Sequence, residues 1–272
     1  ATPIPRTLSL TVFGNLNIST LKTMPAGRKP VVTHLVSEAS RKRMYQAVGV
    51  EFSRGHQAYF VYPRIDDSGE DDVRDVTNMF EYLKEEYPSI PSALIHSRLD
   101  EEEKIAILRS YQQGELSYLV STSVVEVGID IPNATVMVIE HAERFGLSAL
   151  HQLRGRVGRS ALQSYCFLVF SPQLTEEAKS RLTVLKNSND GFYIAEQDLL
   201  IRGPGELSGV KQSGYLRLTF ASLTEDLSLI QLAREEADRI LSSKDGLLGA
   251  EWEAIRSVLS NAPPFDAEKS EA

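Results

Sequence analysis

A parallel α/β fold is predicted by three features of the 272-residue sequence. Short apolar, β-branched and aromatic runs alternate with segments of helical spacing, and short links join them. Polar residues follow the strand ends: His96, Ser121-Thr122 and Glu140-His141. Ligands of such folds gather beyond the carboxyl ends of the strands, so these residues are predicted to share one edge of the sheet. After Pro172 the alternation gives way to helical segments.

Each element has its own signal. Residues 7–21 are apolar at Leu8, Leu10, Val12, Phe13, Leu16, Ile18 and Leu21; Pro25, Gly27 and Pro30 then place a boundary at about 27–30. Residues 31–36 read as a strand, and Ser40 is a candidate cap for a helix that reaches Arg54 and stops at Gly55. Residues 58–62 form a buried strand by their aromatic and β-branched content, and 66–72 an acidic loop. Val76, Met79, Phe80 and Leu83 give 73–87 helical spacing, closed by Pro88 and Pro91. Residues 93–96 are a short strand. Asp100 is placed to cap a helix over 101–113, whose three glutamates sit where the dipole favours them. Strands follow at 118–121, 136–140 and 165–170, with a helix through Gln152 before the last. Beyond them, 176–187 and 192–200 form a helical hairpin broken at Asp190-Gly191. Gly203-Pro204-Gly205 and 209–214 read as glycine-rich loops, and 222–241 and 249–259 as helices. The chain thus divides into 1–27, an α/β domain at 28–172, a helical region at 173–262, and a tail at 263–272 expected to be disordered.

Composition excludes several classes. The chain is 42% apolar and 24% charged, an ordinary globular balance. The net charge is −8, whereas dedicated nucleic-acid binders are usually basic, so any such contact rests on local patches. A single cysteine, Cys166, rules out an internal disulfide framework and a cysteine-based zinc site; its apolar run marks a buried structural thiol. No second histidine stands at metal-ligand spacing from His96, so no metal site is expected. No stretch is long and apolar enough to span a bilayer, which makes a soluble cytosolic protein the default. The first residue is not methionine, and residues 1–7 read as the interior of something longer.

The strongest chemical signal is Gln152-Leu153-Arg154-Gly155-Arg156-Val157-Gly158-Arg159. Wound as a helix at about 100° per residue, it places Gln152, Arg156 and Arg159 within roughly a 60° sector, opposite Leu150, Leu153 and Val157. Two guanidiniums suit a phosphate chain, whose oxygens match the planar fork. A surface helix with cations near its C-terminus is the bland alternative. Residues 122–132 follow a strand with Thr122 and Ser123 as hydroxyls able to donate to a phosphate, Gly128 for close backbone approach and Asp130 for a ribose hydroxyl; a strand-turn with local hydrogen bonds competes. His96 and Arg98 also sit past a strand, where a lone histidine is more often structural. Arg181, Arg202 and Gln212 would converge if the hairpin folded back on the glycine-rich loop, an arrangement spacing alone does not establish.

Together these segments resemble the superfamily 2 helicases. The octet is similar to their motif VI, 122–132 to motif V, His96-Ser97-Arg98-Leu99 to the motif between IV and V, and residues 1–7 to motif III. Within that superfamily the chain resembles the RecG family of branched-DNA helicases, through Ser188-Asn189-Asp190-Gly191-Phe192, Asp198 to Glu206 with its Arg-Gly-Pro-Gly-Glu, and Gln212-Ser213-Gly214. The transcription-repair coupling translocases share motif VI and a similar tail and are the alternative.

The resemblance implies a RecA-like second motor lobe at 28–172, followed by a hairpin-and-loop translocation region. Arg156 and Arg159 would be fingers for the γ-phosphate of ATP, with Gln152 ordering the site. Gly128 and Asp130 would lie by the ribose. Thr122, His96 and Arg98 would follow the DNA backbone, and Arg181, Arg202 and Gln212 would convert lobe movement into translocation. It implies ATP and Mg2+ as cofactors, held mainly by a first lobe, because the chain has no Gly-x-x-x-x-Gly-Lys-Ser/Thr loop. The fragment alone is therefore expected to hold no cofactor and to be inactive. Residues 1–27 would be the severed end of that first lobe, able to drive self-association. Implied partners are replication forks, Holliday junctions and a single-stranded-DNA-binding protein, in a bacterial, nucleoid-associated cytoplasmic setting without a membrane. A non-catalytic module using the arginine face, or an RNA helicase, is a rival reading.

Overall fold

The computed structural model describes residues 27–63, 70–96, 98–122, 131–206, 227–242, 246–249 and 252–260. Readings that fall on 1–26, the 66–69 part of the acidic loop, Gly128, Asp130, Gln212 and the 263–272 tail lie outside them.

Six strands form one sheet: β1 (Val32–Val36), β2 (Gln57–Val61), β3 (Ser92–Ile95), β4 (Tyr118–Ser121), β5 (Ala134–Ile139) and β6 (Tyr165–Val169). Their order is β1-β6-β5-β2-β4-β3, and every pairing is parallel. β2, β4 and β5 are buried along their whole length. That explains why they read as continuous apolar runs instead of alternating ones.

Helices cover both faces. On one face α1 (Arg41–Ser53) and α2 (Glu70–Glu86) bring Met44, Tyr45, Val48, Phe52, Val76 and Leu83 against Phe60, Val120, Val136 and Val138. On the other, α3 (Glu101–Gln112), α4 (Leu147–Arg154), α5 (Glu176–Asn187) and α6 (Gly191–Glu206) bring Leu108, Tyr111, Leu147, Leu150, Leu153, Leu182, Leu185 and Ile194 against Tyr59, Leu119, Met137, Ile139 and Leu168. This is a doubly covered parallel sheet, as the alternation predicts, and of the RecA-like kind that the resemblance implies. Cys166 is fully buried in the second core, and burial pushes its thiol up to about 12, the inert structural state expected.

Two compact units are present, one holding the described residues up to Ile201, the other those from Arg202 onward. Within the second, α7 (Leu227–Ser242) and α8 (Glu253–Ser260) flank a short 3-10 turn, and Arg256 Nη1 donates to Gly249 O at 3.0 Å. Among the described residues no helix is long and apolar enough to cross a membrane.

Several local expectations change. Asp100 caps α3 as predicted, accepting from Glu103 N at 2.7 Å, and Thr175 caps α5 from Ala178 N at 3.1 Å. Ser40 does not cap α1. It ends a 3-10 turn at φ −98°, ψ −4°, already helical, so its hydroxyl is not aimed at the free N–H groups of the helix and lies 3.3 Å from Ser37 Oγ instead. Gly203-Pro204-Gly205, read as loop, continues α6 to Glu206. Local propensity opposes this; the helix is set upstream, where Ile194, Ala195 and Asp198 are buried.

Candidate functional site

The octet around Gln152 is the principal correction. It is not one helix. α4 begins at Leu147 and stops at Arg154; Arg156 N then bonds to Leu153 O at 3.0 Å and Val157 N to Arg154 O at 3.3 Å, a tightened last turn. Gly158 follows at φ +73°. A Cβ there would lie 2.7 Å from Val31 Cγ2, so the turn needs glycine both for its left-handed backbone and for its closeness to the lead-in to β1. Leu150, Leu153 and Val157 are buried as the wheel predicts. Gln152, Arg156 and Arg159 are each half-buried, and Arg159 Nε donates to Gly155 O at 3.4 Å. The two guanidiniums are therefore presented by a glycine-hinged turn at the end of α4, and not by a helix face.

Arg154, which sequence reasoning passed over, is 3% exposed. Its Nη1 donates to Leu185 O at 2.7 Å and Ser188 O at 2.8 Å, with Thr33 Oγ1 at 3.5 Å. Its Nη2 lies 3.2 Å from His151 Nδ1. A guanidinium only donates, so Nδ1 accepts and the neutral imidazole carries its proton on Nε2. A signal for this was present: on the same wheel Arg154 falls beside Leu150, among the apolar positions.

Burial, and then the Arg154 charge, hold His151 down at about 4. An unfolded histidine titrates near 6.5. Between those values the unfolded chain binds more protons than the native one, so this contribution is whole above pH 6.5 and is lost as the pH falls toward 4. From pH 7.5 to pH 5 the wild type is expected to lose about 2 kcal/mol more than His151→Gln. Urea unfolding at both pH values measures this; equal losses would refute it.

At the carboxyl edge the strand-end residues do come together on one side, since all strands are parallel. His96 follows β3, its Nδ1 buried without a hydrogen-bond partner among the described residues, its pKa lowered by burial and then by Arg98. Arg98 is exposed, and Thr122, just past β4, is 4% exposed. Between β2 and β5, whose onward connections leave in opposite directions, Glu140 is 1% exposed and accepts from Arg41 Nη1 at 2.7 Å. Burial raises its pKa against the pull of Arg41. Sequence reasoning placed Glu140 at this edge but did not foresee its partner, which lies 99 residues away in the chain.

Of the proposed translocation set, Arg181 on α5 donates through Nη2 to Glu143 O at 2.9 Å and pairs with Glu177, tying α5 to the 3-10 turn after β5. Arg202 lies in the last turns of α6. The donors at the α4 turn are cationic, which fits phosphate oxygens and not a metal ion.

A model of the helicase conserved C-terminal domain matches residues 40–161, which hold β2 to β5 and the arginine turn. Fold and turn define the C-terminal lobe of a helicase motor. A model of ATP-dependent DNA helicase RecG, domain 3, C-terminal, matches residues 188–261. The ATP-dependent DNA helicase RecG of Treponema pallidum is 51% identical over 249 residues, 90% of this chain and 36% of that protein. That of Borreliella burgdorferi is 49% identical over 238 residues, 88% of this chain and 35% of the relative. A solved structure of RecG bound to a three-way DNA junction superposes with a TM-score of 0.67 at 45% identity, covering 85% of this chain and 30% of that one. The chain is similar to a C-terminal fragment of RecG, and spans about a third of the length of the curated relatives it matches.

Proposed function

We propose that this chain acts as the second motor lobe of an ATP-dependent DNA translocase that remodels stalled replication forks and recombination junctions. Arg156 and Arg159 donate to γ-phosphate oxygens as charge develops in the transition state, and Gln152 helps order that site. Gly128 and Asp130 serve the ribose. Thr122, His96 and Arg98 follow the DNA backbone along the carboxyl edge. Arg181, Arg202 and Gln212 turn lobe movement into translocation. Mg2+, when bound, would supply neutralising charge to the phosphates; its ligands would come from another lobe, because Arg156 and Arg159 do not ligate a cation.

One observation carries the reading. The turn bearing Arg156 and Arg159 is continuous with α4, and α4 is bonded to Ser188 and Asp198, in two of the segments that carry the family resemblance. The finger turn and the α5–α6 hairpin up to Ile201 belong to one compact unit, which supports the reading.

The test is ATP turnover by the two-lobe protein carrying this segment. Three-way and four-way junctions are expected to stimulate it more than linear duplex of equal length. Equal stimulation by linear duplex would remove the branched-DNA assignment, and no DNA dependence would remove the motor. A pull-down with a bacterial single-stranded-DNA-binding protein tests the partner.

A further inference from the structure

α4 meets the α5–α6 hairpin through three polar side chains spaced at i, i+3 and i+6. Ser148 Oγ donates to Asp198 Oδ2 at 2.5 Å, and Asp198 is 1% exposed. His151 packs against the first residue of α6, since a Cβ on Gly191 would lie 3.1 Å from its Nε2. Arg154 spans from α4 to the carbonyls of Leu185 and Ser188, where α5 ends. The Leu185 carbonyl is in the last turn of α5, at the negative end of its dipole, and the Ser188 carbonyl lies just past it, so both suit a cation.

A buried guanidinium held by neutral carbonyls is costly, and packing alone does not require it. Apolar side chains of similar volume often replace buried charges without loss of stability. What an apolar residue does not supply is direction. The fork fixes the end of α5 and the α5–α6 link to a point two residues before Arg156. Displacement of the finger turn therefore passes to the hairpin through bonds that resist both sliding and rotation.

We propose that Arg154 is a positioning residue that couples the finger turn to the hairpin, so that ATP turnover is converted into movement on DNA. This rests on the motor reading above. The displacement enters at Gly155-Arg156, passes through the Arg154 fork into Leu185 and Ser188, and is carried by α5, which holds Arg181, and α6, which holds Arg202 in its last turns.

The experiment compares hydrolysis with unwinding in the two-lobe protein. Arg154→Met and Arg154→Lys are expected to keep DNA-dependent ATP turnover within about threefold of wild type, while forked-DNA unwinding falls at least tenfold. Base pairs opened per ATP is the deciding ratio, because loss of folded protein lowers both rates together and leaves it unchanged. Ser148→Ala, which removes a second tie without touching the buried cation, is expected to lower the same ratio and serves if the Arg154 variants do not fold. If wild type hydrolyses and unwinds but the variants keep base pairs per ATP within twofold, the coupling role is wrong. If wild type shows no DNA-dependent hydrolysis, the motor reading falls and takes this inference with it.

Discussion

Arg159→Ala in the two-lobe protein carrying this segment is expected to lower DNA-stimulated ATP turnover about a thousandfold, with the melting curve unchanged. Arg156→Ala should do the same. The size of the effect follows from what a finger does: it meets charge on the transferring phosphoryl group that is greatest in the transition state, so its removal reduces kcat. The stability expectation follows from placement. Both side chains are half-buried on a turn and belong to neither apolar core. Arg159→Lys should not restore activity, because an ammonium is a point charge without the planar fork. Steady-state turnover on forked DNA, with calorimetry of each variant, decides the matter. Turnover within tenfold of wild type would take the finger role away from that arginine.

Gly158→Ala is expected to destabilise the α/β unit by about 3 kcal/mol. Roughly 1–2 kcal/mol comes from a side chain in the left-handed region and a similar amount from forcing the lead-in to β1 aside. The backbone there is at φ +73°, and the added methyl would start 2.7 Å from Val31 Cγ2. Gly155→Ala is the matched control. Its φ is −69°, and an added Cβ would lie 3.4 Å from the carbonyls of His151 and Gln152, which a residue at a helix end tolerates. That change is expected to stay within about 1 kcal/mol. Urea unfolding of the two variants gives the comparison directly, and equal midpoints would show that the Gly158 turn adapts. In the two-lobe protein the same substitution should also reduce ATP turnover, since Arg159 follows the strained residue.

Legibility differed by the kind of information each feature needs. Strand β4 and helix α5 are found at the residues predicted, because burial on both faces or a 3.6-residue period is written into contiguous sequence. Asp100 was legible as a cap because its partner, Glu103 N, is three residues away. Ser40 has the same chemistry and failed, because a preceding 3-10 turn fixed its backbone before its side chain had a choice. In the octet the apolar side was right and the helix was too long. The wheel assumes a helix through Gly155 and Gly158, and only the approach of Val31 to Gly158 shows where the chain must turn.

The sequence by itself determined the class of fold, the order of its elements and the presence of two outward arginines at the end of a buried helix, because these rest on local periodicity and residue chemistry. Only the tertiary structure decided the order of the strands, the inward turn of Arg154 onto Leu185 and Ser188, and the pairing of Glu140 with Arg41. Each of those joins segments far apart in the chain. Their free energy comes from desolvating one group against another, and no local pattern records which partner will be there.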